Sequence, residues 1–177
     1  MHFDSRIPAF WVANLLLFLL AMLVNSRLAP YSLYLILLGP MLILPALYLK
    51  SPPLVLLYFV TGLSVDALLP QPYWLFIYGF PLIGLFIRSI RGHFRTETTY
   101  RFTLLAHIAN FICIALMFAG QTIHLGQFRD SLAQLGSIVL LSHLSLYIVA
   151  PWFFSFERLL FQLLGMEHAY QDEFLEP

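Results

Sequence analysis

The residue with most chemistry to offer is Asp66, in the segment Thr61-Gly-Leu-Ser-Val-Asp-Ala-Leu-Leu-Pro70 of a long apolar run. A carboxylate at membrane depth costs a few kcal/mol unless it finds partners or water. It stands about four residues from the end of the run, roughly 6 Å down at 1.5 Å per residue. Two roles suit it. It can bind a ligand, an ion or a proton, or it can anchor one helix to another through backbone amides or hydroxyls such as those of Ser64 and Thr61. No second acidic residue lies within a span, which favours the anchor.

Other polar side chains fall in apolar surroundings. His107 and Asn110 are close to one helical turn apart and share a face. Ser142, His143 and Ser145 cluster further on, with Ser137 just before them, and Asn14 stands in the first apolar run. A histidine relay requires partners at matching depth. Intramembrane His and Asn most often hydrogen-bond a neighbouring helix, and that is the expected role here.

Metal chemistry is not expected, because no His-x-x-x-His, Glu-x-x-His or Cys-x-x-Cys spacing occurs. No nucleophile elbow, phosphate-binding loop or dinucleotide fingerprint occurs either, so no enzyme and no cofactor are expected. The single cysteine, Cys113, has no disulfide partner in the chain and reads as a small hydrophobe. Glu157-Arg158 reads as an interfacial helix end. The loop from Arg88 to Arg101 carries Arg88, Arg91, Arg95 and Arg101. It suits anionic lipid headgroups and topology, or a docking partner. The acidic tail 166–177 reads as a frayed end or a short binding segment.

Positioning these groups falls to the apolar elements. Of 177 residues, 60% are hydrophobic and 10% are charged, with formal net charge zero. Soluble domains carry about 25% charged residues, so a soluble fold, a disordered chain and a nucleic-acid binder working through bulk charge are excluded. An all-α integral membrane protein remains, as one polytopic domain. Continuous apolar runs argue against a barrel, whose strands alternate. Turn residues divide the chain into six spans, about 7–24, 30–49, 54–69, 73–87, 102–119 and 132–153, the first read as a retained span rather than a cleaved signal. Pro40, Pro45 and Pro81 are expected to kink their helices. With six spans, Arg6, Lys50, Arg88, Arg91, Arg95, Arg101 and Arg158 share a side, leaving Arg27 and Arg129 of the nine basic residues on the other. The excess predicts cytoplasmic termini.

The layout, with Gly62-Leu-Ser-Val-Asp66-Ala-Leu-Leu in the third span and an arginine-bearing loop after the fourth, resembles the bacterial rod shape-determining MreD family. The chain departs from that pattern at Pro70-Gln-Pro-Tyr-Trp74, where the family usually has a small turn and an early glycine. The resemblance implies a non-enzymatic subunit of the cell-elongation machinery in the bacterial inner membrane. It implies an MreC-like bitopic partner and indirect links to a RodA/PBP2-type synthase of peptidoglycan and to MreB filaments. Anionic lipids and a second copy, as a homodimer, are further expected partners. The MreD family is similar in layout to the substrate-binding subunits of energy-coupling-factor vitamin transporters. That supplies the alternative, a small-molecule pocket at Asp66, although Ala9, Ala13 and Ala21 are not a clean version of the small-residue docking motif such a transporter uses.

Overall fold

The computed structural model describes residues 6–69, 74–90, 99–125 and 128–163. Those residues form six α-helices and no strand: α1 Arg6–Leu28, α2 Pro40–Tyr48, α3 Ser51–Leu68, α4 Leu75–Ile90, α5 Thr99–Leu125 and α6 Phe128–Leu163. Four stretches, Arg6–Tyr31, Ser51–Leu68, Tyr100–Thr122 and Gln134–Leu160, are long and apolar enough to cross a membrane, and α4 is a shorter apolar helix. The chain has the build of a multi-pass membrane protein. Arg91, Arg95 and the tail 166–177 lie outside the described residues.

Each long helix buries one stripe and exposes another. Phe10, Ala13, Asn14, Leu17, Phe18 and Ala21 face inward on α1, at the spacing of three and four residues that a 3.6-residue turn requires. The opposite face shows Val12, Leu16, Leu19, Leu20 and Leu23. In water such a surface would drive association, whereas hydrocarbon tails solvate it at no cost.

The second span departs from the expected continuous helix. After α1, a 3-10 turn at Ala29–Tyr31 ends at Ser32, whose left-handed φ of 57° reverses the chain. Residues 33–38 then belong to no helix or strand, and only Pro40–Tyr48 is helical. Gly39-Pro40 provides the break, since proline has no amide to donate back and its fixed φ suits a helix start. The expected proline kink at position 40 is therefore a helix N-terminus.

A non-helical segment inside such a bundle leaves open backbone groups that a helix would pair internally, each costing several kcal/mol if left unsatisfied in hydrocarbon. Three helices supply the missing partners. Asn25 of α1 donates Nδ2 to the Leu35 carbonyl at 2.8 Å and accepts the Leu35 amide at 2.7 Å. Ser142 of α6 accepts the Ile36 amide at 2.9 Å. Asn110 of α5 donates to the Ile36 carbonyl at 2.9 Å, and its Oδ1 accepts the amides of Leu38 at 2.9 Å and Gly39 at 3.0 Å. Gly39 permits this approach, because a methyl there would run into the Ala106 carbonyl and Asn110.

All nine residues of α2 are buried, and it touches the other five helices. Its last carbonyls, which have no partner within the helix, are taken by guanidinium groups. Arg6 donates to the Tyr48 carbonyl at 3.3 Å, and Arg88 donates to the Leu49 carbonyl. Positive charge suits the negative end of the helix dipole. Tyr58 donates its hydroxyl to the Leu42 carbonyl, and its ring occupies the space that Gly84 leaves on α4.

These pairings fix direction. Asn25 with Leu35, Asn14 with Met41 and Arg6 with Tyr48 run the second segment antiparallel to α1. His107 with His143 and Phe102 with Phe154 run α6 antiparallel to α5. Arg6, Lys50, Arg88, Arg101 and Arg158 consequently gather towards one end of the bundle.

Replacing Asn110 by leucine leaves two amides and a carbonyl unpaired. At about 1–3 kcal/mol each, Asn110→Leu is expected to cost roughly 3 kcal/mol or more in reversible unfolding from mixed micelles. Asn110→Asp, whose protonated acid keeps both acceptor bonds and can donate to the Ile36 carbonyl, is expected to cost less. Equal costs for the two changes would show that the segment's backbone finds its partners elsewhere.

Candidate functional site

The third span delivers its motif to a helix joint. Gly62 and Asp66 are one turn apart on the buried face of α3, beside Thr61 and Val65. Asp66 is 1% exposed. Its two carboxylate oxygens accept the Phe76 amide at 3.1 Å each, and Oδ2 also accepts the Ile77 amide at 3.0 Å. Both amides belong to the first turn of α4, where backbone donors have no partner within the helix. A side chain of α3 thus caps α4, as an aspartate at an N-cap does from the adjacent position. The charge also sits at the positive end of the α4 dipole.

Gly62 makes this geometry reachable. A methyl on it would collide with the Phe76 carbonyl and the peptide that leads to Ile77. The glycine therefore sets the distance between the helices, and the aspartate supplies the bonds. A carboxylate committed to two amides holds a position. It leaves little of itself for a substrate or an ion.

The remaining polar residues act mostly as struts. Ser64 donates to the Val60 carbonyl at 2.9 Å and accepts the Trp11 indole N–H at 3.4 Å. Asn14 donates to the Met41 carbonyl at 3.3 Å, while its Oδ1 and the hydroxyl of Thr61 are buried without a hydrogen-bond partner. Asn110 and Ser142 serve the non-helical segment. Although Asn110 follows His107 by one turn, the two have different tasks.

His107 and His143 meet across the α5–α6 seam. Their Nδ1 atoms are 2.7 Å apart, and their rings stack at 5.0 Å with planes 13° apart. Tyr147 leans on His107 at 4.7 Å and Phe111 on His143 at 6.3 Å. One Nδ1 must carry the proton and the other accept it. Both Nε2 atoms are buried and have no hydrogen-bond partner. Among the described residues, no group of three or more His, Cys, Asp and Glu converges as a metal site requires.

Three features escaped sequence reasoning. Asn25, just past the expected end of the first span at 24, pairs twice with Leu35. Arg6 and Arg88 read as topology markers, yet both close the end of α2. Glu157 is buried before the end of its helix: it is 1% exposed, its oxygens lack hydrogen-bond partners, and α6 continues to Leu163. Its spacing from Ala150, Phe153 and Phe154 puts it on the core stripe of α6, a pattern visible once the helix is extended past 153. Its neighbour Arg158 lies 5.6 Å over the Phe102 ring, within cation–π range. Arg101 is exposed, and Cys113 is buried within α5.

No protein-family model, curated protein or solved structure matches this chain.

The joint predicts a mutational pattern. Asp66→Leu orphans two amides and is expected to cost about 2–4 kcal/mol, whereas Asp66→Asn, which keeps an acceptor oxygen, costs about 1 kcal/mol. Gly62→Ala is expected to cost roughly 1–3 kcal/mol by forcing the helices apart. Because Gly62→Ala and Asp66→Leu undo the same contact, the double variant loses less than the sum. Unfolding titrations of the four proteins measure this, and additive costs would separate the two residues.

Proposed function

We propose that this chain is a non-enzymatic scaffold subunit of the bacterial cell-elongation machinery, similar to the MreD family and held in the cytoplasmic membrane with both termini inside. The observation that carries the reading is the use made of Gly62-x-x-x-Asp66. The motif behind the family resemblance is spent on an internal joint between α3 and α4. A vitamin carrier would instead keep that carboxylate for its ligand.

The distribution of charge supports the orientation. Arg6, Lys50, Arg88, Arg101 and Arg158 lie towards one end of the bundle, and the positive-inside tendency assigns that end to the cytoplasm. Anionic headgroups are natural partners there. On this reading the apolar outer faces of the long helices receive lipid and the single transmembrane helix of an MreC-like protein. That protein in turn couples the chain to a RodA/PBP2-type synthase and to MreB filaments.

Purification from bacterial membranes in mild detergent tests the proposal. The chain is expected to carry with it a bitopic protein that has a periplasmic coiled coil. Asp66→Asn is expected to retain that partner, since the amide oxygen still accepts from α4. Recovery as a stable monomer with a bound vitamin-sized molecule would overturn the scaffold assignment in favour of a transporter subunit.

A further inference from the structure

The α1–α3 contact contains a small cavity lined by Trp11, Asn14, Phe18, Met41, Thr61 and Ser64. It has room for about one water molecule. Two of its lining side chains are nearly inaccessible, Asn14 at 0% and Thr61 at 3%. The same two carry polar atoms with no hydrogen-bond partner, Oδ1 of Asn14 and Oγ1 of Thr61. Orphaned buried polar atoms are rare in folded proteins, and an ordered water is the usual remedy. Here the vacant valences and the space coincide.

We propose that this cavity is a binding site for one water molecule, which joins Asn14 of α1 to Thr61 and Ser64 of α3. The donor and acceptor inventory closes. Asn14 uses Nδ2 on the Met41 carbonyl, so its Oδ1 can only accept. Ser64 has spent its proton on Val60 and one lone pair on Trp11, which leaves one lone pair. Thr61 has made neither of its bonds, so its hydroxyl proton is available. The water donates to Asn14 Oδ1 and to Ser64 Oγ and accepts from Thr61 Oγ1. Three bonds are the typical complement of a buried water.

A monovalent cation would meet oxygen atoms of the right kind but the wrong field. Met41 lies in the first turn of α2, whose N-terminal end is positive, and no acidic side chain lines the cavity. Water is neutral and can supply the two protons that Asn14 and Ser64 accept.

A double-mutant cycle tests the bridge, because Asn14 and Thr61 make no direct hydrogen bond. Thr61→Val and Asn14→Leu are each expected to lower the unfolding midpoint in detergent. With the water already displaced by one change, the second should cost less, giving a coupling of about fivefold or more in the unfolding constant. Strict additivity would overturn the proposal. A midpoint that rises with sodium but not with choline at fixed ionic strength would also overturn it, by identifying a cation site. For the unmodified protein in bilayers, water-edited solid-state NMR should transfer magnetisation rapidly to the Asn14 and Thr61 side chains. Transfer no faster than to the surrounding apolar core would refute the bridge even if the variants fail to fold.

Discussion

The structure depends on giving hydrogen-bond partners to one non-helical segment inside the bundle. Hydrocarbon offers no hydrogen bonds, so a non-helical stretch survives at membrane depth only where protein supplies them. Leu35, Ile36, Leu38 and Gly39 take theirs from Asn25, Asn110 and Ser142, on three different helices. That requirement draws α1, α5 and α6 around the segment. It explains why Gly39 must lack a side chain and why α2 begins inside the bundle rather than at its edge. The ends of α2 obey the same rule, with Asn14 at its first turn and two arginines on its last carbonyls.

The α3–α4 joint solves the problem in reverse. There the unsatisfied groups are the amides of a helix start, and a single carboxylate from another helix meets two of them. A short polar side chain can do this only if the backbones come close, which is the part Gly62 plays. Close approach and charge thus form one device. Neither half would be worth its cost alone: the glycine sacrifices apolar contact, and the aspartate sacrifices hydration.

Much of this was legible before any coordinates. Scarce charge and long apolar runs give the class and the long helices, because burial in lipid leaves a signal many residues long. Asp66 stood out for the same reason, as a carboxylate where carboxylates are expensive. The interior of the second span was not legible. Ile36-Leu-Leu-Gly-Pro-Met-Leu-Ile-Leu reads as apolar throughout, and apolarity is common to a buried helix and a buried extended strand. The partner of the Ile36 amide lies 106 positions away, in Ser142. The meeting of His107 with His143 was hidden likewise, since depth in two helices cannot be matched from spacing within either. The burial of Glu157 was hidden because the last helix runs ten residues beyond the span limit read at 153, to Leu163.

The bonds to residues 35–39 also cut across the order of synthesis. A ribosome delivers Leu35 and Asn25 nearly together, but Asn110 arrives more than seventy residues after Ile36, and Ser142 later still. The Ile36 amide therefore cannot gain its Ser142 partner until the final helix has been made, whereas the partners of the α3–α4 joint are neighbours in the chain.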